Sequence, residues 1–443
     1  MISIIMPLYN AERFLKETLQ SIADQTYQEY ELICIDDASE DSTFEILEKS
    51  QKEDPRIRIF QNEKRQGAAF SRNTGLRYAQ GDYVSFLDGD DLFNEEMLEL
   101  AYGCAVEKKL DIIIFEYLRV KTEWIQLKHK QKLRIDRSEQ FKQKYCKTPF
   151  SLASVKPEEY CSWASAPWNK LFRRQFLLEQ QLEFQNLSCS NDVFFVEMSL
   201  FLADRMMYLE DTRVMVYVRD HNVSTRISVD RDPMCSYHAS RQILAECSRR
   251  HILEKVYEHF YVKSIFRLLW AIRKTRKEED KRTFYEFLST KGIQELRGKE
   301  EYYSLLNKRI QHIYEAFQNK SFDTRWFEDV NQVTYVVPEY RQKFETLFNH
   351  YPRVLIWGAG EFGRGLLAGL SEIGMSVSGI TDSNPNLEGK RIGQYTVQNK
   401  KNVDFAQIDL VLVSPRGICS EIRQELSRFS LAIIDLCEFL DIL

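Results

Sequence analysis

The chain has no uninterrupted run of about 18 uncharged apolar residues, the length a helix needs to span a bilayer, so no transmembrane helix is expected. Its first ten residues, MISIIMPLYN, lack the basic flank and long apolar core of a signal peptide and read as a strand, so the expected location is cytoplasmic. Nine cysteines stand at 34, 104, 146, 161, 189, 235, 247, 419 and 437, none in a C-x-x-C pair and none at zinc-ligand spacing. Reduced thiols are therefore expected rather than a disulfide or zinc framework. No strong basic excess exists: 61 Lys and Arg face 66 Asp and Glu, which argues against a dedicated nucleic-acid binder. Internal repeats and low-complexity segments are absent. What is present is bulk: 443 residues, 44% of them hydrophobic and 13% aromatic, enough for several cores and incompatible with wholesale disorder.

Residues 1–115 alternate short apolar runs with amphipathic stretches. Strands are predicted at Ser3–Pro7, Tyr30–Ile35, Ile57–Gln61 and Tyr83–Leu87, with helices at Ala11–Gln25, Ser42–Gln51 and Gly67–Ala79. Ser42 or Asp41 is placed to cap the second helix. The alternation predicts a parallel, doubly wound sheet, whose ligands sit beyond the carboxyl ends of the strands. Two acidic clusters fall there, Asp36-Asp37 and Asp88-Gly89-Asp90-Asp91. From Arg119 to Lys147, ten basic residues face three acids, which reads as a solvated face or as a surface for anionic lipid or a diphosphate-bearing acceptor. Residues 235–350 read as all-helical. Within them Lys263–Lys277 mixes apolar and basic positions, as a packed amphipathic helix or an interfacial one would. Expected domains are 1–230, 231–349 and 350–443.

Asp88-x-Asp90 at a strand end is a D-x-D element, whose hard oxygens suit Mg²⁺ or Mn²⁺ completed by ligand phosphates. Alone it is also an ordinary turn. Four segments, however, occur in order: SIIMPLYN (3–10), ELICIDDAS (31–39), GAAFSRNTG (67–75) and GDYVSFLDGDD (81–91). Together they resemble the family-2 glycosyltransferases of GT-A fold, over about residues 1–225. The resemblance implies that Pro7 and Tyr9 hold the nucleotide base and ribose, and that Asp37 bonds a uracil ring. It implies that Gly67 and Arg72 approach the donor sugar and diphosphate, and that Asp90 binds the metal with Asp88 nearer the ribose or sugar. Asp37 could instead cap a helix and Arg72 form a surface ion pair.

The second half of the resemblance lies in PWNKLFRR (167–174), SNDVFF (190–195) and VYVRDHNVS (216–224). Asp192 stands where the family places its catalytic base, with Asn191 in place of the usual preceding Glu. Trp168 and Lys170 are candidates for acceptor contact, against core-filling and salt-bridge alternatives. His221 is a candidate for the metal or diphosphate. The implied activity is an inverting, metal-dependent transfer of a hexose or N-acetylhexosamine from a nucleotide-sugar, a UDP-sugar by preference. The acceptor would be a glycan or lipid-linked sugar in surface polysaccharide assembly, reached by peripheral contact with the inner membrane face.

Near residue 352 the pattern changes. Val354–Trp357 reads as a strand, followed by Gly358-x-Gly360-x-x-Gly363 opening a helix, with Asp382 after the next strand. That arrangement matches a dinucleotide fingerprint and raises an NAD-dependent or bifunctional oxidoreductase as a rival. The unit is about half a dinucleotide domain and no catalytic domain follows it, so NAD is not the expected cofactor. A docking or oligomerisation role is expected for this small Rossmann-like unit. A nucleotidyltransferase and an inactive binding module remain as further alternatives.

Overall fold

A computed structural model describes residues 1–120, 139–161, 163–210, 215–219, 232–297, 341–414 and 419–436. The chain forms two compact units, Met1–Leu305 and Leu306–Leu443. The first opens with β1 (Ile2–Leu8), α1 (Leu15–Ala23), β2 (Tyr30–Asp36), α2 (Thr43–Glu53), β3 (Ile57–Gln61), α3 (Ala68–Tyr78) and β4 (Tyr83–Phe86). β1 and β2 are near-continuous apolar runs because the sheet is covered on both faces: Ile4, Ile5, Met6, Ile33 and Cys34 have no exposed surface. The order β3-β2-β1-β4 is parallel throughout. This carries the carboxyl ends of β1, β2 and β4, and both acidic clusters, to one edge.

The parallel arrangement ends at β4. Beyond it come β5 (Leu92–Phe93), α4 (Met97–Glu107), β6 (Ile112–Val120), β7 (Lys170–Arg173), α5 (Val193–Leu202), β8 (Met206–Leu209) and β9 (Met215–Arg219). β7 runs antiparallel to both β4 and β6, so the sheet is mixed rather than purely parallel. An antiparallel neighbour needs no helical crossover, and strand–helix alternation does not report it. The fold is GT-A-like α/β, with β7 delivering the chain toward α5.

Helices follow: α6 (Cys235–Arg249), α7 (Leu253–Lys274) and shorter turns through Arg297. α7 is a packed core helix, not an interfacial one. Its Lys263 is 6% exposed and donates to the Tyr160 and Trp163 carbonyls at 3.2 and 2.7 Å. Arg267 pairs with buried Glu197 of α5 and donates to Ser240 Oγ of α6 at 2.6 Å. Lys263 and Arg267 thus tie elements together inside the protein, while Arg273, Arg276 and Lys277 of the same segment are exposed. Among the described residues no helix is long and apolar enough to cross a membrane. The basic run at 119–147 falls largely outside the described residues.

The second unit is a small α/β fold. It holds α8 (Arg341–His350), β10 (Val354–Trp357), α9 (Glu361–Glu372), β11 (Gly379–Asp382), β12 (Arg391–Ile392), β13 (Tyr395–Asn399), β14 (Leu410–Val413) and β15 (Ala432–Asp435), ordered β12-β13-β11-β10-β14-β15. Alternate residues of β10 and β14 serve separate cores. Val354, Ile356, Leu410 and Leu412 pack with α9, while Leu355, Trp357, Val411 and Val413 pack with Ile422 and Leu426. Phe344 of α8 lies in the first of these cores.

Candidate active site

The rim is built where three parallel strands stop. Gly89 lies over the end of β1: a Cβ there would sit 2.2 Å from Leu8 Cδ2, so the D-x-D turn packs directly beside Pro7–Tyr9. Thr18 Oγ1 of α1 holds the Gly89 carbonyl at 3.0 Å. Asp37 is 3% exposed, and its carboxylate accepts from Gln66 N at 2.9 Å, Gly67 N at 2.7 Å and Asn62 Nδ2 at 2.7 Å. Rather than capping α2, it fixes the loop that opens α3. Capping at α2 falls to Asp41 Oδ1, which accepts from Thr43 N at 3.0 Å. Gly67 has φ of 91°, a conformation costly for any other residue, and that geometry presents its N–H to Asp37. The Arg65 guanidinium lies 3.9 Å from the Tyr9 ring centroid, a cation–π contact at the expected base-binding position.

Arg72 joins the two halves of the site. It rises from α3 with its side chain 7% exposed, and Nη2 meets Asp88 Oδ1 at 2.7 Å. Nη1 meets Asn191 Oδ1 at 3.3 Å, across 119 residues of sequence. The guanidinium is backed by the Phe184 ring at 5.4 Å, and Phe184 stacks on Phe195 of α5. Asp192, next to Asn191, stands at the start of α5 but makes no side-chain cap bond, so its carboxylate is left for other work. Burial pushes the Asp192 carboxyl above the ordinary carboxylate range and Asp88 adds to the rise, while Arg72 and Lys170 oppose it. Asp88 and Asp192 are therefore electrostatic neighbours around one arginine. Ser190 holds the turn before them with φ of 55°. Asp88 and Asp90 supply hard oxygen donors at a strand end, a set suited to a divalent ion completed by donor phosphates. No group of three or more His, Cys, Asp or Glu ligands converges among the described residues.

Residues 3–156 match the sequence profile described as Glycosyl transferase family 2, and residues 350–433 match one described as C2185-like, N-terminal. Glycosyltransferase GlyG of Streptococcus pneumoniae is 38% identical over 117 residues, covering 26% of this chain and 39% of that protein. The chain therefore spans about two fifths of that relative's length. The UDP-Glc:alpha-D-GlcNAc-diphosphoundecaprenol beta-1,3-glucosyltransferase WfgD of Escherichia coli is 33% identical over 177 residues, covering 37% of this chain and 69% of WfgD. The chain belongs to glycosyltransferase family 2. The fold agrees: a solved S. aureus TarS fragment, residues 1–349 with UDP-GlcNAc, superposes with a TM-score of 0.57 at 22% identity, over 72% of this chain and 88% of that one.

In this family-2 chain the expected acceptor contacts Trp168 and Lys170 are interior residues. Trp168 is 8% exposed in the main core, edge-on to Tyr117 at 4.7 Å. Lys170 has no exposed surface, and its Nζ donates to Ala164 O, Ala166 O and Asn169 Oδ1 at 2.8, 2.9 and 2.7 Å. Burial and nearby Lys263 push the Lys170 ammonium well below the usual lysine range, yet three acceptors use three N–H donors. It clamps the 164–169 turn instead of facing solvent. His221 lies outside the described residues. In the second unit, Asp382 Oδ2 accepts from Ala359 N of the glycine loop at 2.6 Å, and its Oδ1 accepts from Asn384 N of the turn after β11 at 2.7 Å. Gly358 has φ of 115°, and a Cβ on Gly363 would fall 1.8 Å from Gly358 O, while one on Gly360 would meet nothing within 4 Å. Phe184 and Asn62 were not singled out by sequence. Asn191 was visible there only as a departure from the Glu-Asp pair, and its amide oxygen accepts from Arg72 without placing a second charge beside Asp192.

Proposed function

We propose that the chain is an inverting glycosyltransferase that moves a sugar from a nucleoside-diphosphate donor, a UDP-sugar, to a glycan or lipid-linked acceptor in cell-surface polysaccharide assembly at the cytoplasmic membrane face. The observation that carries this reading is the Arg72 bridge, which gathers the D-x-D turn and the Asn191-Asp192 turn around one guanidinium. Support for a UDP-sugar comes from the UDP-Glc donor of WfgD and the UDP-GlcNAc bound to the TarS fragment. WfgD's name also gives a diphosphoundecaprenol-linked acceptor. Residues 1–230 would carry the transfer, 231–349 would serve as a helical connector and 350–443 as a docking or self-association unit.

In this reading Asp192 is the general base. The acceptor hydroxyl oxygen attacks the anomeric carbon from the face opposite the diphosphate. Its proton passes to the Asp192 carboxylate, and the C–O bond to phosphate breaks with both electrons leaving on the phosphate oxygen. Such a base contributes about 10²–10⁴-fold. Asp90, with Asp88, would hold Mg²⁺ or Mn²⁺, which when bound neutralises charge on the leaving diphosphate. Arg72 spaces the two turns, and Pro7, Tyr9, Asp37 and Gly67 shape the nucleoside end. The test is a titration of UDP, then of UDP-glucose and UDP-GlcNAc, with and without Mn²⁺, followed by slow donor hydrolysis. Cation-dependent binding and release of UDP is expected; a chain that binds none of the three nucleotides has lost this function.

A further inference from the structure

Gln181 and residues 183–187 wall a pocket of about 550 Å³ together with Phe194 of α5 and Gln242 and Glu246 of α6. That volume lies within the roughly 300–1,000 Å³ typical of small-ligand sites. Its chemistry differs from that of the donor rim. Gln181, Gln185, Asn186 and Gln242 present carboxamides, and the half-buried Phe194 adds part of a ring face. No lysine or arginine is among the lining residues, so nothing there prefers a phosphate. Glu246 is already paired, with Arg249 and Arg250 each at 2.6 Å.

One atom asks for a ligand. Gln185 is 8% exposed and donates through Nε2 to Gln242 Oε1, but its own Oε1 is buried without a hydrogen-bond partner. Buried carbonyls are nearly always satisfied, and a turn of the Gln185 carboxamide toward the pocket it lines would let a ligand hydroxyl satisfy this one. The pocket is also mechanically continuous with the acid turn, because Gln185 N donates to Asn191 O at 3.2 Å, one residue from Asp192.

We propose that this pocket is a subsite for a neutral sugar of the acceptor glycan, one or more residues removed from the reacting hydroxyl. Carboxamides bond vicinal hydroxyls as donor and acceptor together, and a ring face packs the C–H side of a pyranose. The inference rests on the glycosyltransferase reading and names the part of its acceptor that α6 recognises. It gives the helices after residue 232 a role in specificity.

The test uses the full chain, with UDP and Mn²⁺ present, and three neutral probes: cellotetraose, maltotetraose and chitotetraose. Saturation-transfer NMR and calorimetric titration read binding. At least one probe is expected to bind, and Gln185→Leu and Gln242→Ala each to weaken it by about fivefold or more. Gln242 is exposed on a helix where alanine is well tolerated, so it carries the test alone should Gln185→Leu fail to fold. Binding of none of the probes, or binding unmoved in Gln242→Ala, overturns the subsite. Titration of UDP into the same wild-type sample separates the two readings. UDP binding without saccharide binding removes only the subsite, whereas absence of UDP binding removes the donor site beneath it.

Discussion

Asp192 concentrates the argument at the scale of single residues. Its carboxylate is partly buried and left out of helix capping, which suits a base and costs stability. Asp192→Asn keeps the shape and removes the proposed base, so transfer should fall about 10²–10⁴-fold while UDP affinity by titration stays near wild type. Loss of UDP affinity in parallel with transfer would reassign Asp192 to donor binding. The same substitution has a signed consequence for folding. Burial raises the native carboxyl above its unfolded value, so this group favours the native state only at pH below the unfolded value, near 4. That contribution is lost as pH rises through the native value, and ionised Asp192 opposes folding at neutral pH. Asp192→Asn should therefore raise Tm by about 1–4 °C at pH 7, with the gain vanishing toward pH 3. A lower Tm at pH 7 would mean that Arg72 more than offsets the burial. The D-x-D and Asn-Asp segments stood out as candidates because acids at a strand end and at a helix start are visible in sequence, and the structure brings both segments to Arg72. The work of Lys170 and Asp37 was not legible, because a buried ammonium clamping carbonyls and a carboxylate fastening a loop use the same residues that contact ligands elsewhere.

Elements were legible where both periodicity and punctuation were strong. Ile57–Gln61 and Val354–Trp357 coincide with their predicted bounds, and α3 begins one residue inside its expected start because Gly67 serves as the cap. The antiparallel entry of β7 was invisible, since Lys-Leu-Phe-Arg is only four residues long and its partners lie 56 to 90 positions earlier. α7 was ambiguous for a different reason: Lys263 and Arg267 satisfy an interfacial pattern until their buried acceptors are known. Two glycines test the packing of these elements in opposite directions. A Cβ on Gly81 would stand 2.5 Å from Ser3 N and 2.8 Å from Ile2 C, backbone atoms of β1 that cannot turn aside. Gly81→Ala should cost about 3 kcal/mol or more in urea unfolding, the upper range of overpacking. Gly103 lies inside α4 with nothing within 4 Å of a Cβ, so Gly103→Ala should stabilise by roughly 0.5–1 kcal/mol. Equal effects at the two sites would mean that α4 and the β1–β4 edge are not packed as described.

At the scale of the whole molecule, the change of pattern near residue 352 was readable because a new strand–glycine–helix series begins there. Its meaning was harder to read, since the glycine spacing that cradles a pyrophosphate also builds a tight βα turn. The side chains favour the second use: Asp382 spends both oxygens on Ala359 N and Asn384 N, and Gly363 is required by its contact with the Gly358 carbonyl. The unit also has cores of its own on both faces of its sheet. Two units with separate cores should unfold as two calorimetric transitions rather than one. Asp382→Ala leaves the Ala359 and Asn384 N–H groups unpaired, which should lower the transition of the second unit by about 1–3 kcal/mol. Because Asp382 fastens a loop of that unit only, the transition of the first unit and the donor hydrolysis proposed for residues 1–230 should stay in place. A shift of both transitions together would show that the units fold as one body, and a fall in hydrolysis would give residues 350–443 a part in the transfer itself.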